Sequence, residues 1–428
     1  MKKIFAALFI VLIISTSLGE NVVAEASYSV KWISEEYEWV YTFNEGMARV
    51  TKRIDGKIKY GFIDMSGKET VPSIYDSASY FYEGLAAVCK DGKYGFVDKK
   101  GKVVVPLIYD ATFNFCGGLA KVKKNEKYGY INKSGKVVVP IVYDYAEDFV
   151  NGFARVAKGT GFPRYGIVNS KGKEIVPTRY DYTYEFHEGL AVVQNNRKCG
   201  VVDTNGKFII PLKYALIGNF SNGVTFASNG DKCGVIDKTG KVIVPFKYEN
   251  VDNFFDGLAG VIISMKDGKY GHINAQGKLI SNYWGHQFFE GYAEVRKSDN
   301  EVGFINTSGK VIVPLKYEAS ATSGYHNGFF IVAKNFGPEQ KYGYLNKVGK
   351  EVTGTIYDLA NGFNDGLAVV GRYSPEYREI KLGYIDKTGK EVIPLEFDRA
   401  YDFSSGAATV YKNNKWGFIV APTSDKVK

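Results

Sequence analysis

Short apolar runs, some alternating with polar residues and some continuous, are separated along this chain by glycine, proline, Asp and Asn. No stretch of useful length carries the 3.6-residue spacing of an amphipathic helix, so the pattern predicts an all-β chain. Residues 84–115 show how one portion reads. Leu85–Lys90 is apolar with small residues and ends in Asp91-Gly92, a dipeptide that favours a tight hairpin. Lys93–Asp98 holds Tyr94, Phe96 and Val97 and leads into Asp98-Lys99-Lys100-Gly101. Asp at the first position and Gly at the fourth suit a type I turn whose glycine takes a left-handed conformation and forms a bulge. Residues 102–105 are β-branched and run into Pro106, which lacks the donor a ladder needs, so the strand is expected to end there. The Tyr-Asp connection that follows has room for a helical turn.

This pattern repeats. Ten times the chain carries Gly, an apolar or aromatic residue, a branched aliphatic, Asp or Asn, two variable residues and Gly-Lys, opening at Gly61, Gly95, Gly129, Gly166, Gly200, Gly234, Gly271, Gly303, Gly343 and Gly383, with a truncated eleventh at Gly417. Spacings of 32 to 40 residues indicate repeated modules rather than ordinary domains. Eight of the twelve prolines follow Val or Ile at one repeat position, and a Tyr or Phe stands three residues later. A further aromatic, such as Phe81, Phe115 or Phe149, precedes the next unit's glycine by three. These aromatics are expected to pack between consecutive units, because one small sheet buries too little surface to stand alone. Eleven modules exceed the usual four to eight blades of a propeller. The expected fold is therefore a tandem repeat array of about eleven three-stranded antiparallel β units in an open solenoid or superhelix, with one or two β-propeller-like toroids as the alternative. The array is placed at residues 27–420, followed by a tail at 421–428.

An aromatic, two residues, Gly-Leu-Ala-x-Val, then Tyr-Gly-Phe-Ile-Asp-x-x-Gly-Lys and Val-Pro together resemble the WG repeat family over nearly the whole chain after residue 26. Its Trp-Gly pair appears here as Tyr-Gly at Tyr60, Tyr94, Tyr128, Tyr165, Tyr270 and Tyr342, and Trp416-Gly417 keeps the tryptophan. The resemblance implies a repeated β architecture. It implies no common activity, catalytic residue or ligand.

Lys2 and Lys3 precede an apolar run at residues 4–14 and small residues at Ala24 and Ala26, the pattern of a secretory signal peptide over residues 1–26. The apolar run is shorter than a bilayer span needs, so no stable membrane span is expected after cleavage. The product is expected to be secreted or associated with the cell surface. The formal net charge of +9 is unchanged by that cleavage, which removes two lysines and two glutamates. It favours an anionic cell-wall polymer, a glycan or an extracellular protein as partner over nucleic acid, since no dense Lys/Arg run exists. The four cysteines do not recur with the repeat, which argues against a disulfide framework. Cys199 and Cys233 occupy equivalent positions in consecutive units, leaving one bridge between them open.

The lysine after the turn glycine is present in all ten full units, among them Lys68, Lys102, Lys136 and Lys241. Alignment of these lysines would offer a track to a polyanion, while the plainer role is to screen a strand edge and cover a neighbouring aromatic. The Asp or Asn of each turn exchanges freely, which points to capping rather than calcium. Asp76, Asp110 and Asp144, after the repeat tyrosine, are expected to cap the connection or pair with lysine. The four histidines form no ligand set, and zinc spacing, a nucleophile elbow and a phosphate loop are missing from the sequence, so no enzyme, cofactor or metal is expected.

Regularity fails at residues 278–291, where Val-Pro is missing and Trp284, His286 and Gln287 appear; Trp284 and His286 are candidate ligand contacts. The functional expectation is a secreted, non-enzymatic repeat protein that presents an extended β surface for binding. The alternatives are a surface glycan- or peptide-acting enzyme with its site in residues 278–340, and a mechanical spacer.

Overall fold

The computed structural model describes residues 28–33, 36–285, 287–298, 301–318, 324–335 and 337–421. The expected signal peptide, His286 and residues 422–428 lie outside the described residues.

Among the described residues, ten of the eleven units form a sheet of four antiparallel strands rather than three. In the unit after Asp76 the strands are Ser77–Tyr82, Leu85–Lys90, Lys93–Asp98 and Val103–Tyr109, paired in sequence order. The added strand is the stretch after Tyr-Asp, expected as a connection with a helical turn. A single residue, Asp76, separates Glu69–Tyr75 of one sheet from Ser77–Tyr82 of the next, so the chain passes between sheets almost without a loop. Among the described residues there are eleven sheets; the one at residues 324–346 has three strands, with isolated bridges Tyr342 to Tyr357 and Leu345 to Glu351 where a fourth would run.

Proline does not end its strand. Val103–Tyr109 passes through Pro106 and pairs with the third strand from Tyr94↔Tyr109 to Val97↔Val103, with register shifts between. This fourth strand is the sheet's free edge, where a missing N–H costs no ladder bond and discourages pairing with another chain. The register shift also explains the opening glycine of the repeat: a Cβ on Gly95 would lie 2.4 Å from the Val105 carbonyl oxygen.

The array closes on itself, which overturns the expected open solenoid in favour of a single toroid. Val30–Trp32 pairs antiparallel with Lys415–Val420, Val30 opposite Ile419, and so becomes the fourth strand of the last sheet. Val40, Phe43, Ala48 and Val50 from the first sheet share one core with Ala407, Trp416 and Phe418 from the last. The molecule is an eleven-bladed β-propeller. Its blades are numbered from the N-terminus: 1 (39–75), 2 (77–109), 3 (111–143), 4 (145–180), 5 (182–214), 6 (216–248), 7 (250–281), 8 (284–317), 9 (324–357), 10 (359–397) and 11 (399–420 with 30–32). Repeat number alone does not distinguish a ring from a superhelix. That depends on whether each interface rotates its neighbour with or without a net translation.

The expected aromatic packing between units is present. The residue after the opening glycine meets the aromatic of the following blade, with ring centroids 4.7 Å apart for Phe62 and Phe81, Phe96 and Phe115, and Tyr130 and Phe149. Burial of these rings at each interface supplies the hydrophobic stabilisation that an isolated blade lacks.

Candidate functional site

The repeated turn is built as its residues dictate. Asp98 Oδ1 accepts the N–H groups of Lys100 and Lys102, both at 2.9 Å, and Gly101 has φ +81°. The equivalent capping bonds reach the backbone N–H of Lys68 (3.1 Å), Lys136 (3.0 Å) and Lys241 (3.0 Å). Backbone and the turn Asp or Asn are thus committed to each other, while all ten lysine side chains after the turn glycine are exposed. Among the described residues, no ion pair engages the ammonium groups of Lys68, Lys102, Lys136 or Lys241. Because blades follow one another around a ring, these lysines form an arc of cations along one rim rather than a straight track.

The same rim carries a second circle that the sequence did not disclose. The first two strands of each blade join through a two-residue turn with both residues at positive φ, for example Glu83 (52°) and Gly84 (85°), the geometry of a type I′ hairpin. The carboxylate of Glu45 in blade 1 accepts the N–H groups of Glu83 (2.6 Å) and Gly84 (2.9 Å) in blade 2. Glu83 in turn accepts Gly118 N–H at 3.0 Å, and Glu188 accepts Asn222 and Gly223 at 2.6 and 3.0 Å. Lysines of the neighbouring Asp-Lys or Asn-Lys turn brace the same carboxylates: Lys99 to Glu45 at 3.3 Å, Lys133 to Glu83 at 3.0 Å and Lys238 to Glu188 at 3.0 Å. The available signal was the Glu before the unit glycine in several repeats.

The carboxylates after the repeat tyrosine join blades at the opposite rim. Asp110 Oδ1 accepts Lys93 Nζ at 2.7 Å within blade 2's reach, and its Oδ2 accepts Asn125 N–H at 2.7 Å in blade 3. Asp144 links Lys127 to Gly159 N–H in the same way. Hydrogen bonding to lysine first, and to the turn N–H second, holds the carboxyls of Asp76, Asp110 and Asp144 below the usual aspartate range. Pairing with lysine and capping, offered as alternatives by the sequence, occur together.

Where Val-Pro is missing, the fourth strand of blade 7 shrinks to Leu279–Ser281. His272 fills the buried aromatic position, its Nδ1 2.7 Å from Ser281 Oγ and its ring edge-on to Phe288 at 5.3 Å. Serine therefore stands where other blades place valine because it can bond the imidazole. Trp284 opens the first strand of blade 8, 47% exposed, with the Arg296 guanidinium 5.8 Å from its ring centroid. Nearby, between blades 7 and 8, lies a cleft of about 490 Å³ lined by Asp252, Phe255, Gly285, Gln287, Phe288 and Phe289. Lys68, Lys102, Lys136 and Lys241 belong to blades 1, 2, 3 and 6, so the structure does not gather all the sequence candidates at one place.

All four cysteines are free, so Cys199 and Cys233 do not pair; burial pushes the Cys199 thiol up. Among the described residues, no group of His, Cys, Asp and Glu could hold a metal ion, and no helix is long and apolar enough to cross a membrane.

No curated relative matches the chain. Solved structures that match the chain include a eukaryotic initiation factor, at 12% identity and TM-score 0.43, with 77% of this chain and 97% of that chain covered. They also include BamB from Moraxella catarrhalis, at 12% identity and TM-score 0.30, covering 63% of this chain and 93% of that one. Hsv2p from Kluyveromyces lactis matches at 8% identity and TM-score 0.28, covering 63% and 91%. The family model described as "WG containing repeat" matches ten segments, residues 31–57, 60–94, 94–128, 128–159, 165–199, 200–233, 234–270, 303–335, 342–371 and 383–416. With its recurrent aromatic-glycine pair at the start of the buried third-strand core, the chain belongs to the WG repeat family.

Proposed function

We propose that this ring is a non-enzymatic binding platform, exported and used at the cell surface, which holds an anionic wall polymer along the rim of turn lysines. The observation that carries the reading is the set of ten exposed lysines, one in each of blades 1 to 10, on turns whose backbone is already fixed. A rigid cationic rim meets a flexible polyanion at many points, and each weak contact raises the effective concentration for the next. The +9 net charge supports the same choice of partner.

Retention on purified anionic wall polymer tests the reading. Binding at low ionic strength should fall steeply as salt is raised, because exposed charges are screened within about 10 Å at 0.1 M. A triple change, Lys102→Gln with Lys136→Gln and Lys241→Gln, should elute at lower salt than the parent. Passage through the matrix at low ionic strength would overturn the polyanion assignment. Fractionation of cells that make the protein checks export separately.

A further inference from the structure

The cleft between blades 7 and 8 differs in composition from the corresponding places around the ring. The residue just before the first hairpin turn is Asn44, Tyr82, Cys116, Val150, His187 and Ser221 in blades 1 to 6. Blades 7 and 8 have Phe255 and Phe289 there, 39% and 59% exposed, each following a buried Phe254 or Phe288. Two aromatic rings from adjacent blades thus face solvent at one cleft. Exposed aromatic faces at a cleft offer flat apolar surface on which a ligand can stack.

The cleft is not purely apolar. Asp252 and Gln287 are exposed on its walls, and Asn250 Nδ2 donates to Asp252 Oδ1 at 3.0 Å, which orients that carboxylate. A volume of about 490 Å³ falls within the ordinary size of small-ligand sites. A flat aromatic face beside a carboxylate and an amide suits one class of ligand well. The C–H face of a pyranose lies on the ring, and its hydroxyl or amide hydrogens meet carboxylate or amide oxygen. A partner helix would need a wider apolar surface than two rings, and an anion would be repelled by Asp252.

We propose that this cleft is a carbohydrate subsite that takes pyranose units of an uncharged glycan, with Phe255 and Phe289 as stacking platforms and Asp252 and Gln287 as hydrogen-bonding groups. The site goes beyond the lysine rim and does not depend on it. Because the two rings stand on neighbouring blades, it accommodates a linear oligosaccharide better than a single sugar.

Calorimetric titration of the whole protein with tetramers of N-acetylglucosamine and of glucose, in about 0.5 M salt to suppress the rim's charge, provides the test. Saturable binding of at least one tetramer is expected, weakened about tenfold or more by Phe289→Ala and by Phe255→Ala. Phe289→Tyr should retain it. Phe289→Ala should melt close to the parent, since that ring is 59% exposed, while Phe255→Ala, whose ring is 39% exposed, should melt lower yet remain folded at the temperature of the titration. Lack of binding to both sugars, or undiminished affinity in the double alanine variant, overturns the proposal. The rim variant with three glutamines should keep sugar binding while eluting from the wall polymer at lower salt, so the two assignments fail separately.

Discussion

Trp416 donates its indole N–H to the carbonyl oxygen of Glu38, 3.0 Å away, across the seam where blade 11 meets the start of blade 1. Thr409 adds a second bond to the Tyr41 carbonyl oxygen at 2.9 Å, and the rings of Trp39 and Trp416 stand 5.5 Å apart. Here the chain passes from the fourth strand of blade 11, Val30–Trp32, to the first strand of blade 1, Trp39–Asn44, through six residues instead of the single Asp of the Tyr-Asp junctions, and these side-chain bonds reinforce the join. Replacing Trp416 by Phe should cost about 1 kcal/mol from the hydrogen bond alone, measured by urea denaturation. Deleting residues 30–32 should do more, because Lys415–Val420 becomes an unpaired edge. A lower melting temperature together with a larger radius of gyration in solution scattering is expected; an unchanged scattering profile would show that closure does not depend on that strand.

A second link passes through buried tyrosines. Tyr344 and Tyr384 are fully enclosed and donate their hydroxyls to carbonyl oxygens of the following blade, Asn361 at 2.7 Å and Tyr401 at 2.8 Å. Burial drives both phenols well above their ordinary value, so they remain donors at any physiological pH. Tyr344→Phe keeps the ring packing and leaves the Asn361 carbonyl short of a partner. The expected loss is about 1–2 kcal/mol. Blades where the same position is Phe, such as Phe62 and Phe96, make no such bond, and conservative changes there should act through packing alone.

Acid should loosen the ring. The carboxyls of Asp76, Asp110 and Asp144 are held below their ordinary value by lysine and by turn N–H groups of the next blade. A carboxyl whose folded pKa is depressed stabilises the fold above its unfolded value, near 4, and that contribution is lost as pH falls through the folded value. Thermal melts should therefore be nearly flat from pH 7 to about 5 and decline below about pH 4. A triple change of these aspartates to asparagine should lower the plateau and flatten the acid limb. An acid limb identical to the parent would assign the loss to other carboxyls.

Much of each blade was legible before the structure. The second and third strands, their Asp-Gly turn and the capped Asp-x-x-Gly-Lys turn follow from local chemistry, and the recurrence of aromatics at fixed positions announces the packing of Phe96 against Phe115. The first strand was not, because Pro106 and Tyr109-Asp110 read locally as a stop and a turn. Only pairing on one side makes the proline harmless, and edge position is a property of the whole sheet. Closure was hidden for a similar reason: Val30–Trp32 carries neither the proline nor the Tyr-Asp signature of other fourth strands. At the candidate site, Phe255 and Phe289 were overlooked as doublets of the core residues Phe254 and Phe288. Strand alternation gives the missing clue, since a residue beside a buried ring must point away from it.

The turn glycine before the lysine does two jobs in several blades, and substitution can separate them. Gly172 has φ +84°, and a Cβ there would fall 2.3 Å from the Val138 carbonyl oxygen on the fourth strand of blade 3. Gly189, with φ +80°, has no atom within 4 Å of the same construction. Both alanine variants incur the left-handed backbone penalty of about 1 kcal/mol, but only the first also pushes a backbone carbonyl of the preceding blade. Gly172→Ala should be the more destabilising by about 1–3 kcal/mol in paired denaturation curves. Amide exchange should quicken on both sides of the interface between blades 3 and 4, while Gly189→Ala leaves it unchanged. Equal losses in the two variants would reduce the recurrent glycine to turn geometry alone and return blade stacking to the aromatics.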